Sequence, residues 1–140
     1  MEINKFKTLC LIPARSGSKR LPKKNKLLFH GLPLYKWSIL AASKSKNIAL
    51  ICLSTDDKEI IEKEKNNSNI FLHKRNKLLS NDRASVEDLI DKLLEQFQKN
   101  NLHFSHVVLL QPTSPLREEG LIDKCIKICQ TEKKTNGLIE

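Results

Sequence analysis

The fold of this chain is indicated most clearly by an apolar run at residues 9–13, which is followed directly by a basic loop at residues 14–25. The run, LCLIP, contains no charged residue and indicates a strand that is buried on both faces, as in a parallel sheet. The loop, ARSGSKRLPKKN, combines small residues with positive charge. Small residues let backbone N–H groups approach a ligand, and Arg and Lys side chains bind anionic oxygens. Two interpretations are open at this point, an anion site or an ordinary surface turn.

The positive charge of the chain is concentrated beside this loop. The formal net charge is +9, and residues 1–26 carry eight Lys or Arg against one Glu, whereas residues 27–140 contribute only +2. A protein that follows a nucleic-acid backbone needs a long basic stripe with interleaved aromatic side chains, and only 5% of the residues here are aromatic. A small polyanion therefore suits the cluster better, and we expect no nucleic-acid partner.

The rest of the chain repeats a strand and helix pattern. Apolar runs predict three further strands, at residues 48–54, 69–73 and 106–110, and residues 136–140 begin a fifth that no helix follows. Apolar residues at helical spacing predict helices at residues 33–46, 57–66, 84–100 and 121–129. The alternation predicts one α/β domain over residues 1–140, with a mainly parallel sheet, right-handed crossovers and helices on both faces.

Parallel sheets bind ligands at the carboxyl ends of their strands. We therefore expect four loops to surround one crevice, at residues 14–26, 54–57, 74–85 and 111–117. Two of these loops also carry helix-cap patterns, because Asp56 is followed by Glu59 and Ser85 by Asp88. Capping a helix and contacting a ligand are both open interpretations for these residues.

Targeting and metal signals are weak. The longest apolar run, residues 48–53, is far shorter than the roughly 20 residues of a membrane span, and the first ten residues contain no secretory signal. We therefore expect no membrane partner and a cytoplasmic location. The cysteines, Cys10, Cys52, Cys125 and Cys129, lack the paired spacing of a zinc site and are expected to be four buried thiols.

Three motifs carry a family resemblance. They are IPARSGSKRLPKKN at residues 12–25, LSTD at 53–56 and LLQPTSPLR at 109–117. In this order, on successive strand ends, they resemble the acylneuraminate cytidylyltransferase family, the CMP-sialic acid synthetases. The similarity runs from about residue 9 to residue 139 and covers the N-terminal portion of a typical member. It implies a Rossmann-like three-layer α/β/α fold of the nucleotide-diphospho-sugar transferase type, ending after the start of the fifth strand.

The resemblance also implies an activity. Members of this family transfer CMP from CTP to the anomeric hydroxyl of a nine-carbon ulosonic acid, such as sialic or legionaminic acid, and release pyrophosphate with Mg2+ assistance, for surface glycan biosynthesis. CTP and the sugar acid are thus the expected partners. The family's acidic metal ligands, its sugar-binding residues and the segment that makes it a homodimer correspond to positions beyond Glu140. We therefore expect no metal ligand within residues 1–140 and weak or absent catalysis by these residues alone.

Matching the motifs position by position implies particular residues. Arg15 and Lys19 would hold the CTP phosphates during catalysis, and Gln111 would contact the substrate. The full set of implied nucleotide contacts is Arg15, Ser18, Lys19, Arg20, Asn25, Arg75 and Ser85. Departures from the family pattern are Arg20 in place of Gly, Asn76 in place of Pro, Arg83 in place of a small hydroxyl residue and Val86 in place of a second Ser.

Other interpretations are open for these residues and for the chain. Arg75 suits a solvated charge run, Gln111 a polar strand end and Arg117 a surface position near a helix start. A synthetase for a CMP-activated eight-carbon ulosonic acid is a rival enzyme, disfavoured because that group carries an acidic motif where this chain has QPTSPLR. A relative that binds nucleotide without turnover is a rival from a different class.

Overall fold

The computed structural model describes residues 7–17, 24–76, 85–115 and 117–131. In chain order the elements are strand β1 (Thr8–Pro13), a 3-10 turn (Lys24–Lys26), strands β2 (Leu28–Phe29) and β3 (Leu32–Pro33), helix α1 (Leu34–Ser43), strand β4 (Leu50–Thr55), helix α2 (Lys58–Glu64), strand β5 (Phe71–Lys74), helix α3 (Val86–Lys99), strand β6 (His106–Leu109) and helix α4 (Leu121–Thr131).

The main sheet has the order β5-β4-β1-β6, and every pairing in it is parallel. At the centre, Leu11 of β1 lies opposite Cys52 of β4 on one side and Leu109 of β6 on the other. The chain moves outward from β1 to β4 and β5, and then crosses back to place β6 on the opposite side of β1. The order therefore reverses between β1 and β6, which is where doubly wound sheets open a ligand crevice.

Helices cover both faces of this sheet, because alternate strand residues point to opposite sides. Cys10 and Ile12 of β1 pack into a core cluster with residues of α1, α2 and α4. Leu9 and Leu11 pack into a second cluster with α3. The three-layer α/β/α architecture predicted from the sequence is thus confirmed for the described residues.

The long helix α3 forms where the periodicity predicts it. Leu89, Leu93 and Phe97 recur at four-residue spacing and are almost completely buried. Ser85 is its N-cap: the Ser85 hydroxyl accepts from the Asp88 N–H at 3.0 Å, and the Asp88 carboxylate accepts from the Ser85 N–H at 3.3 Å. The capping interpretation of Ser85 is therefore confirmed.

The predicted cap of α2 was wrong by one residue. Asp57, not Asp56, is the N-cap, and its carboxylate accepts from the N–H groups of Glu59 at 2.9 Å and Ile60 at 3.3 Å. Asp56 is instead held by Ser16 in the loop after β1. Two adjacent aspartates offer the same capping chemistry, and the contact with Ser16 decides between them.

Smaller differences concern element ends and the cysteines. Strand β4 begins at Leu50 rather than at residue 48, and β5 spans Phe71–Lys74 rather than 69–73. The predicted fifth strand at residues 136–140 lies outside the described residues. None of the four cysteines forms a disulfide; Cys10 and Cys52 are buried as predicted, whereas Cys125 and Cys129, on α4, are only half-buried. None of the described helices has the length and apolar character that crossing a bilayer requires.

Candidate functional site

A cleft of about 110 Å³ opens where the carboxyl ends of β1 and β6 meet the start of α3. Its lining residues come from separate parts of the chain: Pro13, Arg15, Lys24, Asn25, Arg75, Ser85, Val86, Gln111 and Thr113. Segments from three of the four loops predicted to surround a crevice therefore meet here. The fourth, residues 54–57, supports the cleft from beneath through hydrogen bonds to the first and third loops.

The cleft is electrostatically one-sided. Among its described lining residues, Arg15, Lys24 and Arg75 are cationic and none is acidic. Burial lowers the pKa of Arg75, and the nearby charge of Arg15 lowers it further, while the carboxylate of Asp56 acts in the opposite direction. Like charges that converge in one cleft favour an anionic ligand, because the ligand relieves their mutual repulsion.

The loop after β1 is fixed to the end of β4 by four hydrogen bonds. The Ala14 N–H donates to the Ser54 carbonyl at 2.8 Å, and the Thr55 hydroxyl donates to the Ala14 carbonyl at 2.6 Å. Two residues after Ala14, the Ser16 N–H and hydroxyl both donate to the Asp56 carboxylate at 2.7 Å. The loop therefore leaves β1 in a defined direction and carries Arg15 into the cleft.

Asn25 closes the cleft from the 3-10 turn. Its side-chain N–H donates to the Arg15 carbonyl at 2.9 Å, which fixes the orientation of the amide. The side chain is 5% exposed, and its Oδ1 has no hydrogen-bond partner among the described residues. A buried acceptor without a donor is costly, so this oxygen is a natural contact for an N–H or O–H group of a ligand.

The same turn is tied to helix α2 through Lys26. Its ammonium group lies 3.0 Å from the Asp57 carboxylate and 2.9 Å from that of Glu59. Hydrogen bonds to Glu59 and then to Asp57 raise the pKa of Lys26. Lys26 thus serves the fold, whereas its neighbour Lys24 lines the cleft.

Arg75 is not a solvated surface charge, which was one interpretation of its position in the sequence. Its backbone N–H donates to the Thr55 carbonyl at 2.9 Å, and its Nε donates to the Ser54 hydroxyl at 3.0 Å. Both bonds attach Arg75 to the end of β4 while the residue lines the cleft.

Arg117 is also more than a surface residue. Its Nη2 donates to the Gln111 carbonyl at 2.8 Å, and its Nη1 reaches the hydroxyl of the fully buried Ser38 at 3.4 Å. Arg117 therefore ties the loop that carries Gln111 to helix α1. Arg117 belongs to the motif QPTSPLR, but its role in linking this loop to α1 depends on a contact with Ser38 that the sequence does not reveal.

The predicted site residues fall into two groups. Arg15, Asn25, Arg75, Ser85 and Gln111 are brought together in the cleft. Ser18, Lys19 and Arg20 lie outside the described residues. Lys24 and Thr113 also line the cleft and were missed, although both lie within the quoted motifs. Among the described residues, no group of three or more His, Cys, Asp or Glu side chains is placed to hold a metal ion.

This fold and cleft define a doubly wound α/β domain with a cationic cleft at the point where the strand order reverses. The chain belongs to the cytidylyltransferase family, whose model matches residues 9–136. This confirms the family resemblance carried by the three motifs.

Individual relatives are also similar to the chain. It is 38% identical over 130 residues to a pseudaminic acid cytidylyltransferase of Campylobacter jejuni, covering 92% of this chain and 56% of the relative. It is 37% identical to a CMP-N,N'-diacetyllegionaminic acid synthase of Legionella pneumophila, over 93% of this chain and 56% of the relative. An N-acylneuraminate cytidylyltransferase of Escherichia coli is 34% identical, over 91% of this chain and 29% of the relative. The chain thus spans about half the length of the first two relatives.

Solved structures share the fold. A CMP:2-keto-3-deoxy-manno-octonic acid synthetase complexed with CTP matches with a TM-score of 0.69 at 22% identity, over 91% of this chain and 49% of that one. A 4-diphosphocytidyl-2C-methyl-D-erythritol synthase matches with a TM-score of 0.67 at 9% identity, over 88% of this chain and 54% of that one. At these identities the likeness establishes the architecture.

Proposed function

We propose that this chain binds CTP in the described cleft, as the nucleotide-binding part of an enzyme that transfers CMP to a nine-carbon ulosonic acid. The observation that carries the proposal is the meeting of Arg15, Lys24 and Arg75 in one cleft with the Asn25 oxygen, which has no partner among the described residues. The family and the names of the relatives support cytidylyl transfer as the reaction. Those names differ in the sugar acid, so the particular nine-carbon acid is left open.

The chemistry requires charge neutralisation above all. The anomeric hydroxyl of the sugar acid attacks the α-phosphorus of CTP and loses its proton, while the bond from that phosphorus to the bridging oxygen breaks and pyrophosphate leaves. Negative charge develops on the phosphoryl and leaving oxygens. Arg15 and Arg75 would neutralise it with planar guanidinium groups and Lys24 with a point charge. Lys19, outside the described residues, is expected to join them.

The remaining cleft residues suit the nucleoside and the acceptor. The Oδ1 atom of Asn25 would accept from a donor such as the cytosine amino group or a ribose hydroxyl. Ser85 and Val86 lie at the start of α3, where Glu87 and Asp88 make the first turn acidic and unfavourable for a phosphate. We therefore assign that end of the cleft to the nucleoside. Gln111, on the loop after β6, would face the acceptor.

Four further properties follow from the family assignment as proposals. Mg2+ would accompany the triphosphate, and the described residues do not form a metal site for it. Homodimer formation and a cytoplasmic location are expected for an enzyme of this kind. Its product, a CMP-activated sugar acid, would serve surface glycan biosynthesis.

Calorimetric titration of the chain with CTP, UTP, ATP and GTP tests the proposal. We expect binding of CTP to be the tightest, and Arg15→Ala and Arg75→Ala to weaken it by about tenfold each, the effect of one charge-assisted hydrogen bond. Lys92→Ala, on the exposed face of α3, removes the same charge away from the cleft and should leave CTP affinity unchanged. Equal affinity for the four nucleotides would contradict the proposal.

Turnover is measured separately, by following release of pyrophosphate with CTP and a sialic or legionaminic acid. Tight, selective CTP binding with no product would favour the non-catalytic alternative for residues 1–140. Product from an eight-carbon acid alone would favour the rival synthetase.

A further inference from the structure

We propose that His73 is a positioning residue, which in its neutral form holds the Arg75 guanidinium in the cleft through the hydroxyl of Ser54. The proposal concerns a side chain that does not line the cleft itself. Its effect on CTP rests on the proposed function, whereas the arrangement of the three side chains does not.

The three residues form a continuous chain across two strands. Ser54 of β4 and His73 of β5 are direct partners in the parallel register, so their side chains share one face of the sheet. The Ser54 Oγ atom lies 2.8 Å from His73 Nδ1 and accepts from Arg75 Nε at 3.0 Å. Ser54 is fully buried.

Hydrogen-bond chemistry decides the direction of each bond. The Nε–H of an arginine can only donate, so the Ser54 oxygen must act as its acceptor. A hydroxyl oxygen can accept twice, but it also carries one proton, and His73 Nδ1 is the only other partner of the Ser54 hydroxyl among the described residues. That buried proton has an acceptor only when Nδ1 is the unprotonated nitrogen, so we assign the bond from Ser54 to His73. His73 is consequently neutral, with its proton on Nε2.

Protonation of His73 would break this arrangement. Nδ1 would then become a second donor facing the Ser54 oxygen, and the buried hydroxyl proton would lose its acceptor. Burial, and then the positive charge of Arg75, lower the pKa of His73, in agreement with the geometry. The other titratable groups that act on Arg75 are Asp56, Arg15 and the Cys52 thiol. Helix α3, which packs on the same face of the sheet, carries Glu87 and Asp88 in its first turn.

The consequence for the cleft is a guanidinium that is oriented before a ligand arrives. An arginine side chain has several rotatable bonds, and fixing it on binding costs affinity. The Ser54 hydroxyl fixes Nε, and the Thr55 carbonyl fixes the Arg75 backbone, so the end of the side chain is aimed by β4. His73 contributes by keeping the Ser54 oxygen turned toward Arg75.

Nitrogen-15 NMR of the 140-residue chain tests the arrangement without any ligand. We expect the imidazole signals of His73 to show the Nε2–H tautomer, with a titration midpoint below the ordinary 6.5. In Ser54→Ala the midpoint should rise, because the bond that favours the neutral ring is lost. We also expect a distinct Arg75 Nε–H signal that is lost in His73→Leu and retained in His73→Asn, whose Oδ1 can replace Nδ1 as the acceptor.

Titration with CTP tests the effect on the cleft. His73→Leu should weaken CTP binding by about fivefold to tenfold, and His73→Asn by less than about threefold. His103→Ala, which changes an exposed histidine before β6, is the matched control and should bind as the unaltered chain does. Thermal unfolding of each variant shows that it is folded.

Three outcomes would overturn the proposal. These are an Nδ1–H tautomer, a midpoint above 6.5, or an Arg75 Nε–H signal that is unchanged in His73→Leu. Equal CTP affinity of His73→Leu and His103→Ala would overturn the effect on binding. Absence of CTP binding by the unaltered chain would instead refute the proposed function, and the NMR measurements would still decide the role of His73.

Discussion

Ser16 and Asp56, forty positions apart, are joined by two hydrogen bonds of 2.7 Å, from the Ser16 N–H to one carboxylate oxygen and from the Ser16 hydroxyl to the other. This pair fastens the loop after β1 to the end of β4. It also places a carboxylate near Arg75, where it offsets part of the positive charge of the cleft. Asp56 is thus a support for the site and not the helix cap that its sequence pattern indicated.

Removing this support should affect both folding and binding. We expect Asp56→Ala to lower the free energy of unfolding by only about 1 kcal/mol, because the bonds are exposed to solvent. CTP affinity should fall by about fivefold, since the Arg15 loop is no longer fixed. Denaturant unfolding and calorimetry measure the two effects. Asp91→Ala, on the exposed face of α3, is the charge-matched control; equal CTP affinity of the two variants would contradict the supporting role.

Asn25 offers a test of the buried acceptor in the cleft. Asn25→Ala removes the Oδ1 atom, which has no partner among the described residues, and the N–H that holds the Arg15 carbonyl. We expect CTP affinity to fall by about tenfold. Asn47→Ala, near the end of α1 and away from the cleft, should leave CTP affinity unchanged. A loss that is the same for CTP and for inorganic triphosphate would place Asn25 at the phosphates instead of the nucleoside.

Arg117 provides a third test, through its link from the Gln111 carbonyl to Ser38 of α1. A lysine cannot reach both acceptors with one planar group. We therefore expect Arg117→Lys to lower the free energy of unfolding by about 1 kcal/mol, although the positive charge is kept. Denaturant unfolding measures this difference. An unchanged free energy of unfolding in Arg117→Lys would mean that the link from Gln111 to Ser38 does not stabilise the fold.

Glu64 is the buried carboxylate that joins α1 to α2. It accepts from the Lys36 ammonium at 2.7 Å, from the Tyr35 hydroxyl at 2.9 Å and from the Asn67 amide at 3.2 Å. Burial favours the neutral acid, but these hydrogen bonds outweigh it and hold the pKa of Glu64 below the ordinary 4.5. Burial, and then the bond to Glu64, raise the pKa of Tyr35 well above its ordinary value.

The lowered pKa of Glu64 sets a pH dependence. Its contribution to stability is complete above pH 4.5 and is lost as the pH falls through the lower folded-state pKa. We expect Glu64→Gln to cost about 2 kcal/mol at pH 7, because Lys36 loses its charged partner, and to cost much less at pH 3. Denaturant unfolding at the two pH values measures this difference. A cost that is the same at both would contradict the role of the charge, and Glu62→Gln, at an exposed position of α2, is the control.

The sequence predicted the elements that local patterns control. The uncharged run at residues 9–13 became a fully buried strand, and the four-residue spacing of Leu89, Leu93 and Phe97 became the buried side of α3. Parallel sheets bind ligands at the carboxyl ends of their strands, and this rule predicted that the loops at those ends surround one crevice. The cleft is lined by the predicted residues Arg15, Asn25, Arg75, Ser85 and Gln111, whose roles stay predictions.

What the sequence could not predict depends on contacts between distant residues. Asp56 and Asp57 have equal capping chemistry, and Ser16 selects between them. The meeting of Ser54 and His73 requires the register of β4 against β5, which no local pattern specifies. Arg117 acquires its partners only when α1 packs beside the loop after β6.

The convergence of Arg15, Lys24 and Arg75 also links folding to the ligand. Repulsion between these like charges lowers the free energy of unfolding, and a bound polyanion removes that repulsion. The domain should therefore melt at a higher temperature as the concentration of CTP or of inorganic triphosphate rises. Added monovalent salt should give a smaller increase, through screening alone. In a cell, the supply of the nucleotide would set how much of this protein is folded as well as how much of it is occupied.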